Sequence, residues 1–211
     1  GGVDVRYSYN GLGERVKKEG SSGAALFVQD GYQVMGEYTV TGAPVQETVY
    51  LDGLPVGVIK PSGLYYVNPD PLGSPLAITN TAGTLVWSWE HAPFGDTLPN
   101  ENPKGAGTFS YNLRFPGQYF DSETGYHYNN ARAYLPKLGF YQQPDPIGLA
   151  GGINPYGYVS NNPLKAIDPY GLYGICANEN DNLWDKLLTP EQQKAILDNP
   201  ILRFIGDNPE I

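Results

Sequence analysis

Along residues 1 to about 90, apolar and polar side chains alternate in short runs that break at turn-forming residues. Val5-Arg6-Tyr7-Ser8-Tyr9 alternates, Asn10-Gly11 interrupts it, and Arg15-Val16-Lys17-Lys18 resumes. Thr48-Val49-Tyr50-Leu51 leads into Asp52-Gly53 and then Pro55-Val56-Gly57-Val58-Ile59. Leu64-Tyr65-Tyr66-Val67 leads into Asn68-Pro69-Asp70-Pro71-Leu72-Gly73, and Asn80-Thr81-Ala82-Gly83 separates Ala77-Ile78-Thr79 from Leu85-Val86-Trp87-Ser88-Trp89. A period of two sends successive side chains to opposite faces of a strand, so the spacing predicts successive β-hairpins. The runs return every 10 to 20 residues, as loose repeats of one another do.

Residues 95–108 are dense in Gly, Pro and Asn and predict a surface loop. Residues 109–172 return to strand and turn, with Tyr119 to Tyr128 reading as a hairpin with a polar turn. After Leu172 the pattern changes. Thr189-Pro190-Glu191-Gln192 reads as a capped helix start, and Leu183, Trp184, Leu187 and Leu188 suggest a short helix before it. The expected organisation is a hairpin region at 1–108, a second strand-rich segment at 109–172 and a helical tail at 173–211.

Composition sharpens the fold class. The 211 residues include 27 Gly, 19 Pro and 17 Tyr, a mixture that suits many short strands joined by tight turns. The net charge of −9 disfavours nucleic acid as a partner, because phosphate contacts draw on Lys and Arg. No apolar run approaches the roughly 18 residues of a membrane span. Cys176 is the only cysteine, so an internal disulfide is excluded. The chain begins at Gly1 and reads as an internal piece of a longer protein.

Local chemistry is ambiguous. Asp145-Pro146-Ile147-Gly148 and Asp168-Pro169-Tyr170-Gly171 are favourable turn sequences, with Asp first and Pro second. His91 and His127 are too few and too poorly spaced for a typical zinc enzyme. Trp87 and Trp89 share a strand face, where they either stack on a sugar or pack inside the sheet wall.

Longer motifs decide more. Arg114-Phe115-Pro116-Gly117-Gln118-Tyr119-Phe120-Asp121, Gly125-Tyr126-His127-Tyr128-Asn129 and Ala131-Arg132 are followed by Asp145-Pro146-Ile147-Gly148-Leu149. Then come Gly151-Gly152-Ile153-Asn154-Pro155-Tyr156-Gly157-Tyr158, Asn161-Asn162-Pro163 and Asp168-Pro169-Tyr170-Gly171-Leu172. This series resembles the Rhs repeat-associated core, and Tyr7 to Arg15 resembles a YD repeat with Asn10 in place of Asp.

The resemblance implies an all-β fold, in which YD-repeat hairpins form part of a hollow shell around a C-terminal toxin. It implies that residues 109–172 close one end of that shell and cut the chain between Leu172 and Tyr173 by chemistry similar to that of aspartic proteases. Asp145 and Asp168 match the two acids and Arg132 the supporting cation. Ala133-Tyr134-Leu135-Pro136 and Gly139-Phe140 depart from the usual pattern around them. Peptide hydrolysis by such a pair needs one carboxylate and one carboxylic acid, and two acids forced together separate their proton affinities. The action is a single turnover with no cofactor. Implied partners are the cargo, an immunity protein matched to it and a secretion-system component, with a secreted or cell-surface bacterial location. A non-enzymatic adhesion module and an inactive Rhs remnant remain alternatives.

Overall fold

The computed structural model describes residues 4–176 apart from 22 and 106. Of the expected helical tail at 173–211, the part that carries both expected helices, 177–211, lies outside the described residues, and Ile175–Cys176 is a short strand.

The hairpin turns show why Asn, Asp and Gly recur at fixed spacing. The Asn10 side-chain oxygen accepts hydrogen bonds from the amides of Leu12 and Glu14 at 2.9 and 3.0 Å, while its carbonyl accepts from Gly13. Asp70 does the same for Leu72, Ser74 and Gly73, and Asn80 for Ala82, Thr84 and Gly83. The closing glycines sit at φ of +82°, +93° and +77°, a region that a side chain makes costly.

These turns join nine antiparallel strands in simple sequence order. They are β1 (Val5–Tyr9), β2 (Arg15–Gly20), β3 (Gly23–Asp30), β4 (Gln33–Thr39) and β5 (Pro44–Leu51), then β6 (Leu54–Lys60), β7 (Gly63–Pro69), β8 (Pro75–Asn80) and β9 (Leu85–Ser88). The expected hairpins are present, and β3 and β4 add one that alternation did not single out. Six of the eight pairings carry a register irregularity. Such bulges bend strands and increase twist, so this sheet is built to curve.

Cross-strand register collects Phe27, Glu37, Gln46, Thr48, Val58, Val67, Ile78 and Trp87 on one buried face. The extended segment 109–119 lies across that face. Phe109 packs on Tyr65, Tyr111 on Trp87 and Tyr119 on Phe27, with ring centroids 4.7–5.7 Å apart. Trp87 and Trp89 are both wholly buried, so they cannot stack on a sugar; they belong to the core. The 95–108 loop is tied back to the sheet, with Trp89 Nε1 donating to Thr97 O at 2.7 Å and Ser88 bridging Asn100.

A second antiparallel sheet follows, with β10 (Tyr119–Asp121), β11 (Tyr126–Asn129), β12 (Arg132–Leu135) and β13 (Phe140–Tyr141) in that order. The hairpin read between Tyr119 and Tyr128 is β10–β11. Arg15 of β2 ties the two sheets together. Its guanidinium reaches Asp121 at 2.6 Å and lies over the rings of Tyr7, Phe27, Tyr119 and Tyr128. Lys18 adds pairs to Asp121 and Glu123. Buried charge is costly unless paired in this way. A short last pair, β14 (Ala166–Ile167) and β15 (Ile175–Cys176), closes a loop that carries Asp168 to Gly174.

Candidate active site

One face of the second sheet supplies most of the site. Cross-strand pairs His127–Tyr134, Asn129–Arg132 and Tyr134–Tyr141 put five side chains on a common buried face. The tight turn Asn130-Ala131, with Asn130 at φ +47°, brings Asn129 and Arg132 side by side. Arg132 points at both acids. Its Nη1 lies 3.0 Å from Asp145 Oδ2, and its Nη2 lies 3.0 Å from Asp168 Oδ2. Its Nε donates to the Gly171 carbonyl at 2.5 Å. All three side chains are buried. The residues singled out from the sequence, 23 positions apart for the two acids, therefore meet on one guanidinium.

Both Asp-Pro-x-Gly segments are also turns. Gly148 N–H donates to Asp145 O at 3.0 Å, and Gly171 N–H reaches Asp168 O at 3.4 Å. A third copy, Asp70-Pro71-Leu72-Gly73, serves as an internal comparison. Burial raises the Asp70 carboxyl, but the His91 bond and the Ser74 and Leu72 donors outweigh it and hold the group below its ordinary value. Asp145 goes the other way: burial pushes it up to about 6, against the pull of Arg132 and the Ile147 amide and with a further push from Asp168. Asp168 is raised by burial as well, opposed by Arg132, Tyr141 and the amides of Leu172 and Tyr173. The turn and the acid site are thus one structure, and only two of the three Asp-Pro turns carry acids raised above their ordinary value.

The Leu172–Tyr173 peptide lies within this group. Asp168 Oδ1 accepts from Leu172 N at 2.9 Å and from Tyr173 N at 3.2 Å. Gly151 marks the other side of the peptide. A Cβ built on it falls against Asp145 Oδ2 and 2.6 Å from the Leu172 carbonyl oxygen, which puts those two oxygens within about 5 Å of each other. Leu172 is buried at 2% exposure, which fixes the residue before the bond. One acid therefore faces the carbonyl side of this peptide and the other its N–H.

Three participants escaped sequence reasoning. Tyr141 donates to Asp168 Oδ2 at 2.8 Å, and Asn129 Nδ2 donates to Tyr141 Oη and to Asp168 O at 2.8 and 2.9 Å. Gly151 leaves the gap just described. The signal for Asn129 and Tyr141 is strand periodicity: Asn129 is two residues from His127, and Tyr141 opposes Tyr134, itself two residues from Arg132. That signal is readable only once the register is known.

The carboxylates and guanidinium form a charge network without a metal-binding cluster: no group of three or more His, Cys, Asp or Glu side chains suited to a metal occurs among the described residues. No described helix is long and apolar enough to cross a membrane.

Comparison with known proteins places the fold. Residues 1–164 match the family model described as Teneurin YD-shell. Double-stranded DNA deaminase toxin A of Burkholderia cenocepacia (strain H111) is 33% identical over 205 residues, which cover 84% of this chain and 14% of that protein. Toxin protein Tse5 of Pseudomonas aeruginosa is 42% identical over 107 residues, 51% of this chain and 8% of that protein. The crystal structure of TcdB2-TccC3 without its hypervariable C-terminal region superposes with a TM-score of 0.61 at 25% identity, covering 80% of this chain and 9% of that one. The chain thus spans a small part of each of these relatives. With the family model covering most of its length and its curved sheet of hairpins matching the fold, the chain belongs to the Teneurin YD-shell family, among Rhs-type toxin relatives.

Proposed function

We propose that this segment is the self-processing end of a toxin-carrying YD shell, cutting its own chain between Leu172 and Tyr173. The observation that carries the reading is the placement of two buried acids on opposite sides of that single peptide, joined by Arg132. The names of the relatives as toxins, and a Tc component crystallised without a hypervariable C-terminal region, support a separable cargo after the cut.

The chemistry follows from the geometry. Protonated Asp145 donates to the Leu172 carbonyl oxygen and makes its carbon electrophilic. Ionised Asp168 takes a proton from the attacking water, which displaces the Tyr173 N–H from Oδ1 as its oxygen bonds to that carbon. As that carbon becomes tetrahedral the Tyr173 nitrogen regains its lone pair, Asp168 passes the proton to it, the C–N bond breaks, and the proton on the former carbonyl oxygen returns to Asp145. Water is thereby split between a Leu172 carboxylate and a Tyr173 amine. Arg132 keeps both acids in place and offsets the charge of their ionised forms. Tethering the bond in the same chain supplies proximity that an intermolecular protease must gain by binding. After the cut, the two-residue β14–β15 pairing still ties Ile175 and Cys176 to the core.

Partners follow from this role: the cargo beginning at Tyr173, an immunity protein that protects the producing cell, and an export component, with action outside that cell. The test is to collect the chain uncut in denaturant, refold it by dilution and follow it by intact mass and N-terminal sequencing. The expected products are a piece ending at Leu172 and a 39-residue piece beginning at Tyr173. A chain that refolds and stays whole at every pH favours the adhesion or remnant reading.

The pH dependence has a defined sign. Asp145 must hold its proton, and its folded-state value is about 6. Cleavage should therefore fall about tenfold per pH unit above that value. The same raised value means that the folded chain binds this proton more tightly than the unfolded one. Its contribution to stability is full below the ordinary carboxylate value and is lost as pH rises through about 6. A cleavage rate that is flat from pH 5 to 8 would exclude Asp145 as the acid.

A further inference from the structure

Resting on the self-cleavage reading above, we infer that Tyr141, set in place by Asn129, is a positioning residue that holds Asp168 as the ionised member of the pair and leaves the proton to Asp145. The direction of each hydrogen bond carries the argument. Asn129 Nδ2 donates to the Tyr141 oxygen, so it occupies the acceptor side of the phenol. The single phenol proton then points to Asp168 Oδ2 at 2.8 Å. Asn129 is itself anchored by donating to the Asp168 carbonyl, and it is completely buried.

Asp168 now receives four donors. Arg132 Nη2 and Tyr141 Oη reach Oδ2, while the amides of Leu172 and Tyr173 reach Oδ1. A carboxylate can accept all four; a carboxylic acid would have to place its own proton where a donor already sits. Asp145 differs. Its Oδ1 accepts from Ile147, and its Oδ2 meets Arg132 with the Leu172 carbonyl oxygen close by as an acceptor. That arrangement has room for a proton and somewhere to send it. Tyr158 and Tyr173 also face Asp168, and burial raises both phenols, which stay neutral. Arg132 and Asp145 complete the charged surroundings. The same Tyr141 ring lies under the Arg132 guanidinium, 3.7 Å from its centroid to Cζ. Phenylalanine keeps that stacking and removes only the hydroxyl.

The test is the pH–rate profile of refolding-initiated cleavage in the wild type, Tyr141→Phe and Tyr134→Phe. Tyr134 is an equally buried neighbour whose hydroxyl donates to Phe94 O and touches neither acid. With one donor gone, Asp168 holds its proton more tightly. The acid limb of Tyr141→Phe should move up by about one pH unit, with the alkaline limb unmoved, since a bond to a charged group is of that order. Tyr134→Phe should keep the wild-type profile. Should Tyr141→Phe fail to fold, 3-fluorotyrosine placed at position 141 keeps the ring and strengthens the donor, and the acid limb should move down. A variant that cuts more slowly with both limbs at wild-type pH gives Tyr141 a merely structural role and overturns the inference while leaving self-cleavage standing. A wild type that never cuts, or an Asp145→Asn variant that cuts normally, overturns the parent reading and the inference with it.

Discussion

Asp145→Asn should fold and remain whole. The substitution preserves the shape of the side chain and lets its amide oxygen accept from Ile147 N, as Oδ1 does at 3.0 Å. The amide nitrogen then faces Arg132 Nη1 as donor against donor, but Arg132 keeps its pair with Asp168, its bond to the Gly171 carbonyl and its stacking on Tyr141, so the buried cation is not stranded. What disappears is the proton that Asp145 can offer at neutral pH. A positioned general acid contributes about 10²–10⁴-fold, so cutting that is complete in the wild type should shrink by at least about a hundredfold. Band intensities on a gel over a time course, with a far-ultraviolet spectrum to establish β structure, measure both halves of the statement. Asp168→Asn should stop cleavage too, but with a larger stability penalty. Its amide nitrogen would meet Arg132, Tyr141 or the two backbone N–H groups as donor against donor, and removing one partner of a buried ion pair costs about 3–5 kcal/mol. Asp70→Asn, in the third Asp-Pro turn, should cut at the wild-type rate because that carboxyl serves its own hairpin and His91. An Asp145→Asn chain that refolds and cuts normally would remove Asp145 from the chemistry.

Much of the sheet was legible because its turns announce themselves. Asn10, Asp70 and Asn80 each stand three residues before a glycine that must adopt positive φ, and the flanking runs alternate. The β3–β4 hairpin was not. Ala24-Ala25-Leu26-Phe27-Val28 is apolar on both faces, with Phe27 buried and Val28 half exposed, so the period of two is hidden. Arg132, Asp145 and Asp168 were legible through motif likeness, and local sequence alone made the two aspartates ordinary turn residues. That local view was right about the backbone and silent about the side-chain oxygens, which depend on contacts across 13 to 36 residues. Asn129, Tyr141 and Gly151 carry no local mark, since each is an unremarkable strand or turn residue until register sets it beside an acid.

Gly151→Ala should also silence the cut, without replacing any group that takes part in the chemistry. The added methyl would press into Asp145 Oδ2, reach within 2.8 Å of Asp145 Cγ and come 2.6 Å from the Leu172 carbonyl oxygen. Real Cβ atoms do not sit so close, so something must move. Neither neighbour yields cheaply. The Asp145 carboxyl is clamped by Arg132 and by the Ile147 amide, and the Leu172 oxygen belongs to a backbone pinned by Asp168 at the following and preceding N–H groups. The easiest relief is to drive the acid and the carbonyl apart, which is the one displacement the reaction cannot absorb. A misplacement of about 1 Å costs on the order of a hundredfold in rate. Overpacking of this kind costs about 1–3 kcal/mol, which is small enough to leave a folded, curved sheet. Gly152→Ala is the matched control. Its Cβ meets nothing within 4 Å, so it pays only the strain of φ +144° and leaves the acids where they are. The expected ranking is therefore Gly152→Ala cutting normally with a lowered melting temperature, and Gly151→Ala folded and whole. Normal cutting by Gly151→Ala would mean that Asp145 does not work against the Leu172 carbonyl, and the assignment of the acid would fall even if Asp168 proved essential.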